Sequence, residues 1–248
     1  KNRIKKIIVI ASEPASFFNF RSELIRTISK LKYSVTTISN PMDAQQSSEI
    51  ASWGCAEQAV FFSRNEINLI ADFKTLFNLF LKFRSIRPDI ILAYTIKPVI
   101  WGGIVSKLYK ANFYALITGL GFAFQGESFK RKILKKLVTI LYRVALKNSK
   151  AVIFQNENNR DVFVRRGIIE LSKTFVVNGS GVNLESYNVE NLPNSNFRFL
   201  CIARLLGEKG LREYAEAAKI VKNKFPDVEF DLVGPEDSSP DAILLNEV

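Results

Sequence analysis

The chain has 248 residues, 47% of them hydrophobic, and a formal net charge of +11. That length suits one large α/β domain, or one domain with part of another. The absence of histidine excludes a Ser-His-Asp triad, a Cys-His pair and histidine-based zinc sites. Cys55 and Cys201 lack metal-ligand spacing, and no apolar run reaches the ~18 residues of a membrane-spanning helix. We therefore expect a globular protein without a metal site.

Predicted strands and helices alternate along the first three quarters of the chain. Strands are predicted at 4–11, 33–39, 59–62, 90–94, 113–118, 151–155 and 173–177. Helices are predicted at 17–31, 67–86, 98–109, 128–147 and 157–166. In the first helix, the spacing of Phe20, Leu24, Ile28 and Leu31 predicts the buried face. The alternation indicates an α/β fold with a doubly wound, mostly parallel sheet.

A second α/β pattern begins near residue 197. Residues 184–196 are polar and rich in Asn, Ser and Pro, which indicates a linker. A strand at 197–203, a helix at 211–225 and a strand at 228–233 follow. We therefore predict a complete first domain at 1–183, and a second domain at 197–248 that contains only about one βαβ unit. Such a domain normally needs ~100 residues or more.

Positive charge is concentrated in the first domain. Residues 196–248 hold 7 Lys and Arg against 10 Asp and Glu, so the excess lies before them. Part of it surrounds an apolar stripe on the helix at 128–147. The stripe contains Phe129, Ile133, Leu137, Ile140, Leu141 and Val144, and the basic residues include Lys130, Arg131, Lys132, Lys135 and Lys136. We expect the stripe to pack on the sheet and the basic face to meet an anionic membrane. The alternative is a solvated basic face, and no nucleic-acid motif accompanies the charge.

Arg204 and Lys209 follow the first strand of the second domain, within ARLLGEKG at 203–210. Ligands of such sheets lie beyond the carboxyl ends of strands, near helix N-termini. A guanidinium and an ammonium five residues apart can converge on one diphosphate. The alternative is a solvated surface loop.

A set of mostly polar residues and glycines, with one phenylalanine, also follows four strands of the first domain. They are Ser16, Phe17, Asn19, Thr95, Lys97, Thr118, Gly119, Gly121 and Asn156. We predict that they line an acceptor cleft, with Lys97 placed to hold a phosphate. The ordinary alternatives are strand–helix turns, a surface lysine and a helix cap at Asn156-Glu157. The lack of a G-x-G-x-x-G fingerprint disfavours a dinucleotide-dependent dehydrogenase.

Several of these segments together resemble one enzyme family. They are FFNFR at 17–21, YTIKP at 94–98, ITGLGF at 117–122, FQN at 154–156, NGSGV at 178–182, ARLLGEKG at 203–210 and VEFDLVGPED at 228–237. In this order they resemble family 4 glycosyltransferases, which are retaining enzymes of the GT-B fold. The resemblance is to bacterial enzymes that build capsular, O-antigen or other undecaprenyl-diphosphate-linked glycans, N-acetylgalactosaminyl transferases among them.

The resemblance implies roles for particular residues and partners. Arg204 and Lys209 would bind the diphosphate of a nucleotide sugar, which is the donor substrate, and no further cofactor is implied. The first domain would bind a lipid-linked glycan acceptor, as a cytoplasmic protein held peripherally at the inner face of the membrane. Sugar, linkage and acceptor are not implied.

One family motif has no counterpart in the chain. The Glu-x7-Glu motif, which contacts the donor sugar and the nucleotide ribose, is absent after Lys209, so no catalytic residue is assigned. We therefore expect these 248 residues alone to be inactive or nearly so. The rival interpretation is a non-catalytic remnant or subunit that holds acceptor lipid. A sugar-nucleotide epimerase is disfavoured, because its glycine fingerprint and Tyr-x-x-x-Lys motif are absent.

Overall fold

A computed structural model describes residues 3–63, 68–121, 124, 129–185, 187–191, 197–237, 242–244 and 247. It divides into two compact units, Lys1–Tyr187 and Asn188–Val248. The linker predicted at 184–196 lies around this division, and Ser186 and residues 192–196 lie outside the described part.

The first unit is built on a seven-stranded sheet in which every strand pairs in parallel, in the order β3-β2-β1-β4-β5-β6-β7. The strands are β1 Lys6–Ile10, β2 Ser34–Ser39, β3 Ala56–Ala59, β4 Ile90–Tyr94, β5 Asn112–Ile117, β6 Ala151–Phe154 and β7 Thr174–Val176. The order reverses between β1 and β4, so the connections leave these two neighbours in opposite directions. This confirms the predicted doubly wound α/β sheet.

Helices cover both faces of the sheet. They are α1 Ser22–Lys30, α2 Ala44–Ser52, α3 Leu69–Ile86, α4 Ile96–Ser106, α5 Phe129–Leu146 and α6 Glu157–Arg165. Strand β1 shows how the two cores divide, because successive side chains point to opposite faces. Ile8 and Ile10 join the core beneath α3, α4, α5 and α6, whereas Ile7 and Val9 join the core beneath α1 and α2.

Helix α2 was not predicted, and the strand predicted at 59–62 lies three residues earlier, at Ala56–Ala59. Helix α2 begins with a capping box in which Asp43 accepts from the backbone N–H of Gln46 while the Gln46 side chain accepts in return. Strand β3 then ends at Ala59. Phe62 is buried, but its N–H and C=O bond to the side chain of Asn40 rather than to a neighbouring strand.

Most of the predicted buried face of the first helix is exposed. A π-helical turn, Phe17–Arg21, precedes α1, and a π turn contains more residues than an α turn. The fully buried side chains are Phe17 and Ile25, with Arg21 beside them. Of the four predicted residues, Ile28 packs partly against the core, whereas Phe20, Leu24 and Leu31 are exposed.

The second unit contains a parallel pair of strands, β8 Arg198–Ile202 and β9 Glu229–Val233, joined by helix α7 Leu211–Lys224. Its small core includes Leu205, Leu211 and Ile243. Gly234 follows β9 where a Cβ would coincide with the carbonyl oxygen of Ala203, so this position admits only glycine.

Candidate functional site

The carboxyl ends of β1 and β4 meet at the point where the strand order reverses, which is where doubly wound sheets bind ligands. Ser12 follows β1 and Thr95 follows β4, and their hydroxyl oxygens lie 3.1 Å apart. This bond joins two of the four loops for which we predicted an acceptor cleft, those after β1 and β4, and the acceptor role stays a prediction.

Tyr94 organises two of the predicted cleft residues. Its hydroxyl lies 2.9 Å from Ser16 Oγ, which also donates to the carbonyl of Glu13 at 2.6 Å. The buried Phe17 ring meets the Tyr94 ring edge-on, with centroids 6.0 Å apart. Burial raises the pKa of Tyr94 far above its usual value, against smaller opposing effects of Ser16 and Arg21. Tyr94 is therefore a neutral phenol that positions its neighbours.

Thr95 has a backbone conformation that is rare outside glycine, with φ 68° and ψ 160°. Such a conformation costs about 1–3 kcal/mol and concentrates at functional sites. The next residue, Ile96, packs beneath Gly121, where a Cβ would lie 2.6 Å from Ile96 Cδ1. Gly121 itself has φ 67°. The β4–α4 turn and the glycine loop after β5 are thus fitted to each other.

Lys97 lies in a half-buried ion pair. Its Nζ donates to Asp72 Oδ1 at 2.8 Å and to Ser63 Oγ at 2.5 Å, and Trp101 Nε1 donates to the same Asp72 oxygen at 3.2 Å. The side chains of Lys97 and Asp72 are 19% and 8% exposed. Lys97 therefore joins α3 to α4 through its bond to Asp72. Its predicted role in binding an acceptor phosphate stays a prediction.

The remaining predicted cleft residues lie at the carboxyl edge of the same sheet. Asn19, Thr118 and Asn156 are exposed, and Gly119 is half-buried. The side chain of Asn156 accepts from the backbone N–H of Asn159 at 2.8 Å and thereby caps α6. Its carbonyl oxygen is used for the cap.

One charged residue at this edge, Arg21, was not predicted from the sequence as a site residue. Its side chain is buried, its guanidinium carbon lies 5.2 Å from the centre of the Tyr94 ring, and Nη1 donates to Ser180 Oγ at 2.6 Å. Gln155 Nε2 donates to the same hydroxyl at 3.1 Å. Arg21, Gln155 and Ser180 occur within the FFNFR, FQN and NGSGV segments, and their shared place in these segments is the signal that could have identified them.

In the second unit, both predicted diphosphate-binding residues lie between β8 and α7 and pair with carboxylates. Arg204 Nη1 bonds to Asp237 Oδ2 at 2.8 Å, and the two side chains are 57% and 16% exposed. Lys209 Nζ lies 3.3 Å from Glu208 Oε1. Gly210 follows in the left-handed conformation and opens α7. Both cations are at the surface beside a helix N-terminus, and their donor-binding role stays a prediction.

Helix α5 corrects the expectation that its apolar stripe packs on the sheet. The core receives the neighbouring face instead, with Val138, Tyr142, Ala145 and Leu146. Most of the predicted stripe is exposed: Phe129, Ile133, Leu137, Ile140 and Val144. Leu141 alone of the six is partly buried against the core. Because α5 is apolar on both sides, periodicity identified a stripe but not the one that faces the sheet.

Lys and Arg side chains border this outward stripe. Arg131 and Lys135 are half-buried, Lys132 and Lys136 are exposed, and the Lys130 side chain lies outside the described part. A groove of about 590 Å³ between α5 and α6 is lined by Lys132, Lys135, Lys136, Arg143, Arg165 and Arg166, together with Thr139 and Ile140.

Helix α3 carries a second outward apolar stripe. Ile70, Phe73, Phe77 and Leu81 are exposed at helical spacing. Helix α4 packs between α3 and α5, so both stripes belong to the same side of the sheet. The three helices contain ten Lys and Arg but a single acidic residue, Asp72, which is the partner of Lys97. Among the described residues, no helix is long and apolar enough to span a bilayer.

Comparison with known proteins places the chain in a family. The family described as glycosyl transferase 4-like matches residues 6–156. A Campylobacter jejuni protein, N,N'-diacetylbacillosaminyl-diphospho-undecaprenol alpha-1,3-N-acetylgalactosaminyltransferase, is 27% identical over 91% of this chain and 62% of its own length. An Escherichia coli UDP-Gal:alpha-D-GlcNAc-diphosphoundecaprenol alpha-1,3-galactosyltransferase is 29% identical over 68% of this chain and 46% of its own. The chain thus spans less than two thirds of either relative.

Solved structures show the same fold. Sucrose-phosphate synthase from Thermosynechococcus elongatus matches with a TM-score of 0.71 at 14% identity, covering 96% of this chain and 64% of that one. The Anabaena protein HepE, solved with UDP and glucose, matches with a TM-score of 0.66 at 16% identity, covering 98% and 62%. These likenesses confirm the predicted GT-B fold class, and the match over 6–156 shows that the chain belongs to the glycosyl transferase 4-like family.

Proposed function

We propose that the complete gene product transfers a sugar, with retention, from a nucleotide diphosphate sugar to a lipid-linked glycan acceptor, such as one on undecaprenyl diphosphate. The observation that carries this is the presence in one chain of a first unit that matches the glycosyl transferase 4-like family and a β8–α7 segment that places Arg204 and Lys209 beside a helix N-terminus. The Campylobacter jejuni and Escherichia coli relatives, whose names specify undecaprenol-linked acceptors, support the choice of acceptor.

Arg204 and Lys209 are the donor-binding residues of this proposal. Negative charge builds up on the diphosphate as it departs, and fixed cations at that position lower the barrier. In the absence of donor, Asp237 orients the guanidinium of Arg204. Loss of a charge-assisted contact costs about 1.5–3 kcal/mol, so Arg204→Ala and Lys209→Ala should each lower kcat/KM about 10- to 100-fold.

The assay is a donor and acceptor screen with the complete gene product and bacterial membranes, using radiolabelled nucleotide sugars. Arg198→Ala is a matched control, because Arg198 is also an exposed arginine of the second unit with a carboxylate partner, at 3.1 Å from Asp231. Activity that survives in both Arg204→Ala and Lys209→Ala would overturn the diphosphate assignment. Acceptor binding without transfer from any donor would favour the rival, a non-catalytic acceptor-lipid-binding subunit.

We also propose that the side of the sheet covered by α3, α4 and α5 docks on the anionic inner leaflet of the cytoplasmic membrane. The apolar stripes of α3 and α5 suit the interface between headgroups and acyl chains. The cations beside them suit acidic headgroups, to which each basic residue near the surface contributes about 1 kcal/mol. This surface would bring the acceptor cleft to its lipid-linked substrate.

Co-sedimentation with phosphatidylglycerol vesicles tests the membrane surface. The double variant Lys135→Ala/Lys136→Ala should bind about 30-fold more weakly, which corresponds to about 2 kcal/mol. Leu137→Ser should weaken binding at every salt concentration, whereas Leu171→Ser, which changes an exposed leucine away from these helices, should not. Equal binding by all variants would refute this surface.

A further inference from the structure

Arg21 is a buried cation without an anion among the residues that the structure describes. Its side chain is only 5% exposed, and both of its side-chain hydrogen bonds use Nη1, to the carbonyl of Phe20 at 2.8 Å and to Ser180 Oγ at 2.6 Å. Its Nε is buried and has no acceptor within the described part of the chain. Burial lowers the pKa of the guanidinium, although arginine stays charged. Buried charges in folded proteins are normally paired, so an arginine in this state indicates a missing anion.

Two donors converge on one oxygen at this place. Arg21 Nη1 and Gln155 Nε2 both donate to the hydroxyl of Ser180, at 2.6 and 3.1 Å. A guanidinium and an amide aimed at a common point form a better site for an oxyanion than for a neutral hydroxyl, because a charged acceptor roughly doubles the strength of each bond. The two donors aimed at the Ser180 oxygen therefore have an arrangement that suits an oxygen of a phosphate group.

The segment that carries Ser180 is suited to exchange. Ser180 is exposed and stands between Gly179 and Gly181, whose φ angles are 76° and 70°. A Cβ on either glycine would meet nothing within 4 Å, so the surroundings leave room for the segment to shift. Displacing one exposed hydroxyl is a small cost beside a new ion pair.

The position is also that of a ligand site. Arg21 lies over the Tyr94 ring at the end of β4, and Gln155 follows β6. Both therefore lie at the carboxyl edge of the sheet, beside the switch point between β1 and β4. The cation–π contact and the Ser16 bond to Tyr94 hold the guanidinium in place before any ligand arrives.

We propose that Arg21 and Gln155 form an oxyanion subsite that takes a phosphate or diphosphate group of a substrate in place of the Ser180 hydroxyl. Two substrates of the proposed function carry this chemistry, the lipid diphosphate acceptor and the nucleotide diphosphate donor. The choice between the acceptor and the donor rests on the proposed function, whereas the existence of the oxyanion subsite does not depend on it.

Isothermal titration of the 248-residue chain with farnesyl diphosphate, farnesol and UDP separates the sources. Arg21→Gln should bind farnesyl diphosphate at least about tenfold more weakly while farnesol and UDP are unaffected. The affinity of Arg21→Lys for farnesyl diphosphate should lie between those of wild type and Arg21→Gln. Ser180→Ala should bind farnesyl diphosphate more tightly than wild type, because it removes the competing hydroxyl. Arg204→Gln is the matched control and should lower the affinity for UDP alone. If Arg21→Gln weakens UDP instead, the subsite takes the donor.

Thermal unfolding distinguishes a binding role from a structural one. If Arg21 is kept for a ligand, Arg21→Gln raises Tm without ligand, because it removes an unpaired buried charge. A lower Tm together with unchanged affinity for every probe would overturn the proposal, as would full binding by Arg21→Gln. Transfer activity is read separately. If the enzyme is active and Arg21→Gln changes neither binding nor transfer, the subsite is refuted but the proposed function is not. If binding depends on Arg21 but no sugar is transferred, the proposed function is refuted but the subsite is not.

Discussion

Removal of Asp72 should be among the most damaging single changes to the first unit. Asp72 accepts from Lys97 at 2.8 Å and from Trp101 at 3.2 Å, and its side chain is 8% exposed. Asp72→Ala leaves an ammonium and an indole N–H without this acceptor. Breaking a buried pair from one side costs about 3–5 kcal/mol. Because Lys97 is 19% exposed and keeps its bond to Ser63, we expect about 3 kcal/mol.

A double-mutant cycle isolates the pair. The single variants Asp72→Leu and Lys97→Met each leave one charge without its partner and should each cost a similar amount to Asp72→Ala. The double variant Asp72→Leu/Lys97→Met replaces both charges with apolar groups and should lie within about 1 kcal/mol of wild type. Urea unfolding followed by tryptophan fluorescence is the assay. Both tryptophans, Trp53 and Trp101, lie in the first unit, so the signal reports that unit alone.

Two results of the cycle would refute the reasoning. A loss below about 0.5 kcal/mol in Asp72→Ala would mean that the pair does not hold α3 to α4. Additive effects in the double variant would mean that the two side chains act independently. The same variant tests the predicted phosphate role of Lys97. If Lys97 holds an acceptor phosphate, the double variant regains stability but keeps a raised acceptor KM.

Three further predictions concern other parts of the fold. The backbone N–H of Lys6, and to a lesser extent the Arg3 side chain, lower the pKa of Asp89. The stability that Asp89 contributes is therefore present above the ordinary pKa of a carboxyl and is lost as the pH falls from there through the lowered pKa of the folded state. In Asp89→Asn, the free energy of unfolding should decline less steeply with acid than in wild type. Gly103→Ala should destabilise by about 1–3 kcal/mol in urea, because its Cβ would lie 2.8 Å from the Ala145 carbonyl oxygen. Gly102→Ala should cost less, because the atom nearest to its Cβ would be Ile10 Cδ1 at 3.3 Å. Gly234→Ala should abolish UDP binding by calorimetry while the tryptophan-reported transition is unchanged; unaltered UDP affinity would contradict the close approach to Ala203.

The strands of the sheet were predictable because strands and turns are specified by residues that are close together in the sequence. Ile90–Tyr94 is a short apolar run that follows Pro88-Asp89, and it is a central strand of the sheet. Helix α2 could not be predicted in this way, because Ala44–Ser52 is mostly polar and the start of the helix depends on the capping box between Asp43 and Gln46. Strand β3 was misplaced because Val60 and Phe62 are as apolar as a strand, yet a side chain from β2's end, Asn40, satisfies the Phe62 backbone.

The sequence by itself determined the fold class and the order of strands, helices and turns along the chain, since each follows from short-range periodicity and turn chemistry. Only the tertiary structure decided which side of α5 faces the sheet, because both sides are apolar and burial depends on the neighbours. Only it paired Lys97 with Asp72, and Arg21 with Ser180 at a separation of 159 residues. Contacts across such distances depend on how the strands are ordered in the sheet, and no local pattern records that order.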